Sequence, residues 1–440
     1  MGAAMSNLSD SLNKLYALRT FGIKPGLEPV RELLDGIGNP QLAFVAVHVA
    51  GTNGKGSVCA LLDSILRSAG FRVGLYTSPH LIRFNERIRV NGRAVADDDL
   101  AALFEALDPA ASRMAARGRQ ATFFEFTTAL AFEYFRRQRV QFAIVETGLG
   151  GRLDATNIVL PLVSVITRIG LEHTAILGDT IEAIAGEKAG IIKEGRPVVC
   201  GATPDEALAV VRRTAAERHS NFVNAAEAVT VRRVSQSLAG QKISVSTEGT
   251  AYGPAMVRLL GRHQLENVAT AMAAAEAIAE VGRLTLTPEA VVSGLEATRW
   301  PARLDVLDED PPVLLDGAHN PDAARVLAAA VKELFKKKPL ALVWGMCTDK
   351  DAIGFSGALG GLVRVCWPVV LTTDRTRSQA ELARIAESRN WEVRLAGLAD
   401  ALAEAKAWAR DQSGAVCIAG SLYLAGEVLA LGEGTRAAPI

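Results

Sequence analysis

The sequence has no net charge, few cysteines and no long apolar run. Its 48 lysines and arginines balance 48 aspartates and glutamates, so no overall field would attract nucleic acid or an anionic membrane. No stretch reaches the roughly 18 uninterrupted apolar residues of a membrane span, and the first residues lack the basic-then-apolar layout of a secretion signal. We therefore expect small-molecule partners that are recognised locally, and neither nucleic acid nor a membrane.

The cysteines are too few and too widely spaced to form a framework. They are odd in number and lie mostly in apolar runs: Cys59, Cys200, Cys347, Cys366 and Cys417. This spacing favours buried free thiols over disulfides or a zinc site. Free thiols are typical of a reducing compartment, so the sequence predicts a cytoplasmic protein.

The first part of the chain predicts an α/β domain. Short β-rich runs alternate with amphipathic stretches, which is typical of a mainly parallel sheet with helices on both faces. The helices include residues 57–69 and 122–138, and residues 225–260 predict a small antiparallel appendage. The predicted strands are residues 43–49, 72–76, 141–146, 162–167 and 197–200.

The length of the chain and a change of composition predict a second domain. At 440 residues the chain exceeds what one hydrophobic core usually organises. Residues 296–312 are rich in proline and charge and predict a linker, so we place the domains at 1–297 and 298–440. The C-terminal part predicts a Rossmann-like, doubly wound domain with strands at 313–316, 340–345, 365–372, 391–395 and 415–419.

A glycine-rich loop follows the first predicted strand. Its glycines let backbone N–H groups converge on phosphate oxygens, Lys55 can reach the outer phosphates, and Ser57 can face a Mg²⁺ ion. A standard Walker loop has more residues before its Gly-Lys pair and places Ser or Thr directly after the lysine. The sequence predicts a variant phosphate-binding loop made of Gly51, Thr52, Asn53, Gly54, Lys55, Gly56 and Ser57.

Glu146 ends the buried strand at 141–146. Phosphate-loop proteins hold Mg²⁺ with a carboxylate in this place, although a strand-end glutamate that faces solvent is the alternative. The glycine-rich residues 148–151 suggest a close approach of the backbone to a ligand, or a plain turn. Taken alone, His173 and Lys188 predict nothing, because a single histidine is more often structural and a lysine ammonium cannot coordinate a cation.

Several longer motifs resemble those of one family. Besides the loop, these are residues 76–81 with 84–88, 146–157, 170–174 with 187–193, and 316–321. They occur in the order found in the folylpolyglutamate synthase/dihydrofolate synthase family of Mur-ligase-like, ATP-dependent amide ligases. The resemblance runs from about residue 10 to 430 and implies an N-terminal P-loop ATPase domain and a C-terminal Rossmann-like domain.

The resemblance implies two Mg²⁺ sites. Carbamylation of Lys188 would turn a cation into an anion with oxygen donors, which removes the objection to a lysine ligand. By similarity, Ser78 and Glu146 hold one ion, while Glu146, His173 and carbamylated Lys188 hold the second. Ser57 is a further contact from the loop, imidazole is a poor match for Mg²⁺, and the family leaves room for a monovalent cation.

The resemblance also implies that the C-terminal part completes the ATP site. Arg303 would supply charge for the transferring phosphoryl group, and Asp316 would accept from the ribose or orient the metal shell. The alternatives are a linker salt bridge for Arg303 and a helix cap for residues 319–320. The implied ATP-binding residues beyond the loop are Asn267, Arg303, Asp316 and His319.

The acceptor substrate and glutamate are expected at opposite walls of the cleft. The pterin residues implied by the family are Gly26, Leu27, Glu28, Thr122, Phe123, Leu153, Asp154 and Ala155. We expect Phe123 to provide a stacking face, although its helical spacing with other aromatics favours a core position. Glutamate is assigned to His319 and to Ser421, which begins a predicted helix whose N-terminus suits a carboxylate. Four positions depart from the usual family spelling: Pro29, Thr147, Glu172 and Ala302.

The resemblance implies an ATP-dependent ligase. It would join L-glutamate to dihydropteroate and to reduced folates through an acyl phosphate, as a monomer, with Lys55, Glu146, His173, Lys188 and Arg303 as the catalytic groups. A polyglutamylation-only enzyme is one alternative. A related ligase of cell-wall precursors is another, although the sequence leaves little room for a separate nucleotide-sugar domain before residue 51. A third alternative is a nucleotide-gated switch, whose ATP hydrolysis would not depend on glutamate.

Overall fold

The computed structural model describes the backbone of residues 2–21 and 26–439 and the side chains of residues 8–19 and 26–439. Two large sheets organise this part of the chain. No helix among the described residues combines the length and the apolar character that crossing a bilayer requires.

The first sheet is mainly parallel, with an antiparallel edge. Its order is β4-β3-β2-β5-β1-β6-β7-β8, and only the pairs β2–β3 and β3–β4 are antiparallel. The strands are β1 (Val45–Ala50), β2 (Val73–Tyr76), β3 (Ile88–Val90), β4 (Arg93–Ala94), β5 (Phe142–Glu146), β6 (Pro161–Ile166), β7 (Val198–Cys200) and β8 (Phe222–Asn224).

Helices cover both faces of this sheet because alternate residues of each strand point to opposite sides. Val47 and Val49 pack with α3, α10 and α11, whereas Ala46 packs with α1, α2, α4 and α5, and α7 and α8 cover the end that carries β7. The helices are α1 (Gly2–Ala17), α2 (Glu28–Asp35), α3 (Lys55–Ser68), α4 (Asp97–Ala116), α5 (Phe123–Arg137), α6 (Thr174–Leu177), α7 (Ile181–Ala189), α8 (Asp205–Glu217), α9 (Ala225–Ala228), α10 (Arg262–Gly282) and α11 (Pro288–Ala297).

A small antiparallel sheet lies against α10 and α11. It has the order β11-β10-β9, and its apolar side chains join the core around α3. Its position agrees with the predicted antiparallel appendage. The strands are β9 (Thr230–Ser237), β10 (Gly240–Ser246) and β11 (Ala251–Val257).

The second large sheet has the order β12-β13-β17-β14-β15-β16, in which only β12 is antiparallel to its neighbour. Helices α12 to α14 cover one face and α15 and α16 the other. The elements are β12 (Asp305–Glu309), β13 (Pro312–Leu315), α12 (Pro321–Phe335), β14 (Leu340–Trp344), α13 (Ala352–Leu359), β15 (Val363–Pro368), α14 (Gln379–Ser388), β16 (Glu392–Val393), α15 (Leu398–Asp411), β17 (Ala415–Ala419) and α16 (Leu422–Gly432).

Part of the segment that we expected to be a linker is a strand. Residues 305–309 form β12, which pairs with β13 through Asp305 opposite Leu315. The high charge of this segment reflects its place at the edge of the sheet, where charged side chains protect unpaired backbone groups. The irregular connection is therefore confined to residues 298–304.

Candidate active site

A cavity of about 1010 Å³ lies between the two large sheets and is lined by residues of both. We call it the central cavity. Parallel sheets bring the carboxyl ends of their strands to one edge, where ligands usually bind. The predicted site residues that line it are Gly26, Thr52, Asn53, Gly54, Lys55, Gly56, Ser57, Ser78, Thr122, Phe123, Glu146, Leu153, Asp154, Ala155, His173, Asn267, Arg303, Asp316, His319 and Ser421.

Four predicted residues stand away from this lining. Gly51 lies behind the loop, and its φ of +154° suits only glycine, because a side chain there would overlap the Thr167 hydroxyl. Leu27 is half-buried and Glu28 is exposed. Lys188 is buried and donates a hydrogen bond from Nζ to Gly51 O at 2.9 Å.

The glycine-rich loop begins α3 two residues earlier than we expected. Gly54 is the N-cap of α3, with a φ of +91°. The N–H groups of Thr52 and Asn53 both donate to Arg168 O, so they are already used within the protein. The first four N–H groups of a helix lack intrahelical partners, which leaves those of residues 54–57 facing the central cavity.

Lys55 folds back over this loop. Its Nζ donates to Gly51 O at 2.9 Å and to Thr52 O at 3.1 Å. The charge of Lys55 therefore sits beside the N-terminus of α3, where the helix dipole also favours anions.

Glu146 is a buried carboxylate at the end of β5, with 4% of the residue exposed. Its Oε2 accepts a hydrogen bond from the Ser78 N–H at 3.0 Å. Burial raises the pKa of Glu146, although Lys55 and the Ser78 N–H act in the opposite direction. The solvent-facing alternative for this glutamate is therefore wrong.

The Lys188 amine is protonated far less often at neutral pH than the amine of an ordinary lysine. Burial, reinforced by the nearby charge of Lys55, lowers its pKa to about 7. At physiological pH the Lys188 side chain is therefore a neutral amine in a large fraction of the molecules, and the neutral amine is the form that can add CO₂. Among the described residues, no group of three or more histidine, cysteine, aspartate or glutamate side chains is placed to hold a metal ion.

Glu172 connects the two halves of the cavity, although the sequence marked it only as a departure from the family pattern. Its Oε1 lies 3.1 Å from His319 Nε2 and 3.7 Å from Lys350 Nζ. Burial would raise the pKa of Glu172, but the hydrogen bond with His319 and the charge of Lys55 hold it well below its usual range. The neighbouring His173 is exposed.

The C-terminal wall is fixed by backbone hydrogen bonds. Asp316 is buried and accepts the N–H groups of Leu304 and Ala318, each at 2.8 Å, while Arg303 donates to Ala302 O at 2.8 Å. Ala302 has a φ of +57°, which explains why a glycine is the usual residue there.

Three further residues of this wall have internal partners. Asn267 donates to Gln264 Oε1 at 2.8 Å. Asn320 caps α12 by accepting the N–H of Ala323, so the cap predicted for residues 319–320 is confirmed for Asn320. Ser421 caps α16.

The expected pterin wall is more tightly packed than predicted. Thr122 and Glu125 cap α5 reciprocally, and Phe123 stacks on Tyr16 with a centroid separation of 6.0 Å. Phe124, which the sequence did not single out, lies against Gly148. Asp154 accepts the N–H groups of Leu149 and Thr156 and the Thr156 hydroxyl, so it also shapes the loop.

Sequence reasoning missed two arginines of the same wall. The Arg19 and Arg87 guanidinium groups lie 4.8 Å and 5.3 Å from the Phe123 ring centroid, and both line the central cavity. Arg87 belongs to the motif at 84–88, but no feature of the sequence indicated that this side chain is buried.

The sequence matches two families in succession. Residues 49–275 match the Mur ligase middle domain, and residues 302–422 match the Mur ligase glutamate ligase domain. The chain belongs to the Mur ligase family. Its fold is the Mur-ligase-like α/β fold, with a mixed, mainly parallel sheet in each large part.

Individual relatives place the chain within this family. It is 43% identical over 343 residues to a dihydrofolate synthase/folylpolyglutamate synthase of Bacillus subtilis. The matched region covers 78% of this chain and 80% of the relative. A Mycobacterium tuberculosis folylpolyglutamate synthase complexed with ADP and AMPPCP superposes with a TM-score of 0.91 at 30% identity, over 99% of this chain and 100% of that one. The Escherichia coli FolC structure with DHPP and ADP gives 0.86 at 32% identity, over 97% and 98%. This Mur ligase therefore groups with amide-forming acid–amino-acid ligases.

Proposed function

We propose that the chain uses ATP to join L-glutamate to dihydropteroate, which gives dihydrofolate, and to reduced folates, which lengthens their glutamate tails. The observation that carries the proposal is the central cavity. Lys55 and Glu146 line it from the part of the chain that holds the first sheet, and Arg303 and His319 line it from the part that holds the second. Relatives named for both activities support it, as does the FolC structure with DHPP and ADP.

In this proposal the N-terminus of α3 is a phosphate-binding loop. The unpaired N–H groups of residues 54–57 would donate to the phosphates of ATP, and Lys55 would neutralise their charge. Asn267, Arg303 and Asp316 would hold the rest of the nucleotide from the opposite side. Because Arg303 and Asp316 belong to the second half of the chain, closure of the cavity would complete the site.

The residues around Glu146 suit Mg²⁺. Glu146, Ser57 and Ser78 are oxygen donors that line the central cavity, and oxygen is the ligand that Mg²⁺ prefers. No lysine or arginine of the described chain hydrogen-bonds to the buried Glu146 carboxylate, so a cation would compensate its charge. When bound, Mg²⁺ would offset the negative charge of the phosphates.

A second Mg²⁺ site would need a modified lysine. Glu146, His173 and carbamylated Lys188 would form it, and the near-neutral amine of Lys188 is the observation that supports the carbamate. The exposed imidazole of His173 is the weaker donor for Mg²⁺.

The reaction then proceeds in two steps. The substrate carboxylate attacks the γ-phosphorus of ATP, which forms an acyl phosphate and releases ADP. The neutral α-amine of L-glutamate attacks the acyl carbon, phosphate leaves, and the amine proton is lost to solvent or a base. Lys55 and Arg303 would stabilise the charge that develops on the transferring group, while the closed cavity excludes water from the acyl phosphate.

The test is phosphate release that depends on both ATP and L-glutamate, with product masses recorded. Dihydropteroate and tetrahydrofolate are run in parallel. Glutamate adducts of both acceptors are expected, and an adduct of tetrahydrofolate alone would reduce the proposal to polyglutamylation. Release of ADP without glutamate dependence would contradict a ligase.

We also propose that the protein works as a cytoplasmic monomer with small-molecule substrates only. The buried free cysteines of the described chain fit a reducing compartment. Light scattering after gel filtration should give the mass of one chain, 46.6 kDa.

A further inference from the structure

Arg87 is a buried cation without an acidic partner. Only 4% of the residue is exposed, yet it lines the central cavity. Within residues 8–19 and 26–439 it forms no ion pair, and its one side-chain hydrogen bond runs from Nε to His80 Nδ1 at 2.8 Å. A buried charge without compensation is costly, which indicates that an anion supplied from outside completes the site.

His80 does not neutralise Arg87. An imidazole carries no negative charge near neutral pH, and His80 accepts the Arg87 Nε–H at Nδ1, which only a ring without a proton on Nδ1 can do. Burial lowers the pKa of Arg87 to about 10, which still leaves the guanidinium charged at neutral pH.

A second guanidinium lies nearby and increases the need for an anion. Arg19 and Arg87 both lie over the Phe123 ring, and the charge of Arg19 lowers the pKa of Arg87 because like charges repel. Arg19 stacks on Tyr16 at 4.4 Å and donates to Pro439 O at 2.9 Å. Neither contact supplies negative charge. The charge of Asp374 also acts on Arg19, but that of Arg375 acts more strongly in the opposite direction, so the cavity wall here is cationic.

The cationic wall adjoins the reacting end of the cavity. The backbone of Arg87 accepts the Thr77 N–H at 3.1 Å, and the next residue, Ser78, donates its N–H to Glu146 Oε2 at 3.0 Å. Glu146 lines the same cavity as Lys55, where the proposed function puts the phosphates. An anion on Arg87 is therefore close to the carboxylate that reacts, and it is separate from the phosphates beside α3.

We propose that Arg87, with Arg19 beside it, binds the α-carboxylate of the glutamate that already ends a reduced folate. This inference rests on the proposed function. Dihydropteroate has a single carboxylate, and that one reacts. A folate carries an α-carboxylate in addition, separated from its reacting γ-carboxylate by a three-carbon chain. Arg87 thus serves polyglutamylation and is dispensable for the first glutamate addition.

The first experiment compares acceptors in Arg87→Met and Arg87→Lys. Loss of a charge-assisted hydrogen bond should raise KM for tetrahydrofolate about 10- to 100-fold in Arg87→Met and less in Arg87→Lys, with KM for dihydropteroate and for ATP unchanged. The thermal midpoint of Arg87→Met should not fall, because an unpaired buried charge has been removed. Arg83→Gln is the matched control, because Arg83 lies on the same segment, is exposed and pairs with Asp97.

The second experiment changes the substrate and leaves the protein intact. Tetrahydropteroyl-4-aminobutyrate keeps the reacting carboxylate and lacks the α-carboxylate. The wild type should bind it 10- to 100-fold more weakly than tetrahydrofolate, on the order expected for one such contact, whereas Arg87→Met should not distinguish the two. Equal KM values in the wild type would overturn the inference without any variant.

The remaining outcomes separate the two proposals. A wild type that modifies no pterin acceptor contradicts the proposed function itself. If the wild type is active but Arg87→Met impairs dihydropteroate and tetrahydrofolate equally, Arg87 holds the reacting carboxylate. If only KM for L-glutamate rises, Arg87 holds the incoming amino acid. Either result overturns the α-carboxylate assignment.

Discussion

At the scale of single residues, Lys188 links stability to chemistry. Burial and Lys55 lower its pKa from 10.5 to about 7, so between these values the unfolded chain binds more protons than the folded one. The free energy of unfolding contributed by this residue therefore rises with pH across that window and is lowest below it. Relative to Lys188→Met, the wild type should gain stability from pH 7 to pH 10 in CO₂-free buffer, as measured by urea unfolding.

The same variant tests the carbamate. Adding ¹³C-bicarbonate should stabilise the wild type and produce a carbamate NMR signal that Lys188→Met lacks. Lys193→Met is the control, because burial also lowers the pKa of Lys193, to about 8, while its Nζ is held by Asn157. A signal that disappears in Lys193→Met instead would contradict modification of Lys188.

The site residues that the sequence could predict are those that belong to contiguous motifs. Glu146 ends a strand, and Lys55 and Asp316 come shortly after one; the end of a parallel strand indicates the ligand edge of a sheet. Arg19 could not be found in this way, because its place depends on the packing of α1 against α5. Arg87 belongs to a motif that the sequence shows, but its burial without an acidic partner is a result of folding and could not be predicted.

At the scale of elements, two glycines with almost the same φ lie at the two ends of α3. Gly54 precedes the helix with a φ of +91°, and Gly70 follows it with a φ of +88°. Alanine at either position should cost about 1 kcal/mol because a side chain is strained there. Only at Gly54 would the new Cβ overlap Asn267, whereas nothing lies near Gly70.

Gly54→Ala should therefore also raise KM for ATP, because it displaces Asn267 and moves the first N–H groups of α3. Gly70→Ala should lose stability through backbone strain alone, so its unfolding free energy should fall by no more than that of Gly54→Ala, and it should keep the wild-type KM. The measurement is urea unfolding together with steady-state kinetics at varied ATP. Identical kinetics in the two variants would show that the N-terminus of α3 does not contact the nucleotide.

The longer helices and strands could be predicted from the period of their apolar residues and from their length, and the shorter ones could not. Apolar runs such as those of β5 and β14 are buried on both faces, and the sequence shows them directly. Strands β4 and β16 have two residues each, too few to show an alternation. Strand β12 was taken for a linker because edge strands carry charge and proline for reasons unrelated to flexibility.

At the scale of the whole molecule, α16 of the second half packs on the segment that follows Ser78 in the first. Leu81 joins the core around α15 and α16, and the Ala438 N–H donates to Ile82 O at 2.7 Å. This contact spans the two halves beside the central cavity, which Ser78 and Pro79 line. The position of the Ser78 segment therefore depends on a helix more than 300 residues away in the sequence.

Gly426→Ala tests this dependence. Gly426 faces Leu81 so closely that a Cβ would overlap the Leu81 carbonyl oxygen, whereas Gly432, in the same helix, has nothing near it. Alanine favours helices, so Gly432→Ala should be neutral or stabilise by up to about 1 kcal/mol. Gly426→Ala should instead destabilise by about 1–3 kcal/mol through overpacking, and it should lower kcat/KM because the Ser78 segment moves. Unfolding and kinetics of both variants give the answer: a Gly426→Ala protein with raised stability and full activity would mean that α16 does not hold the Ser78 segment in solution.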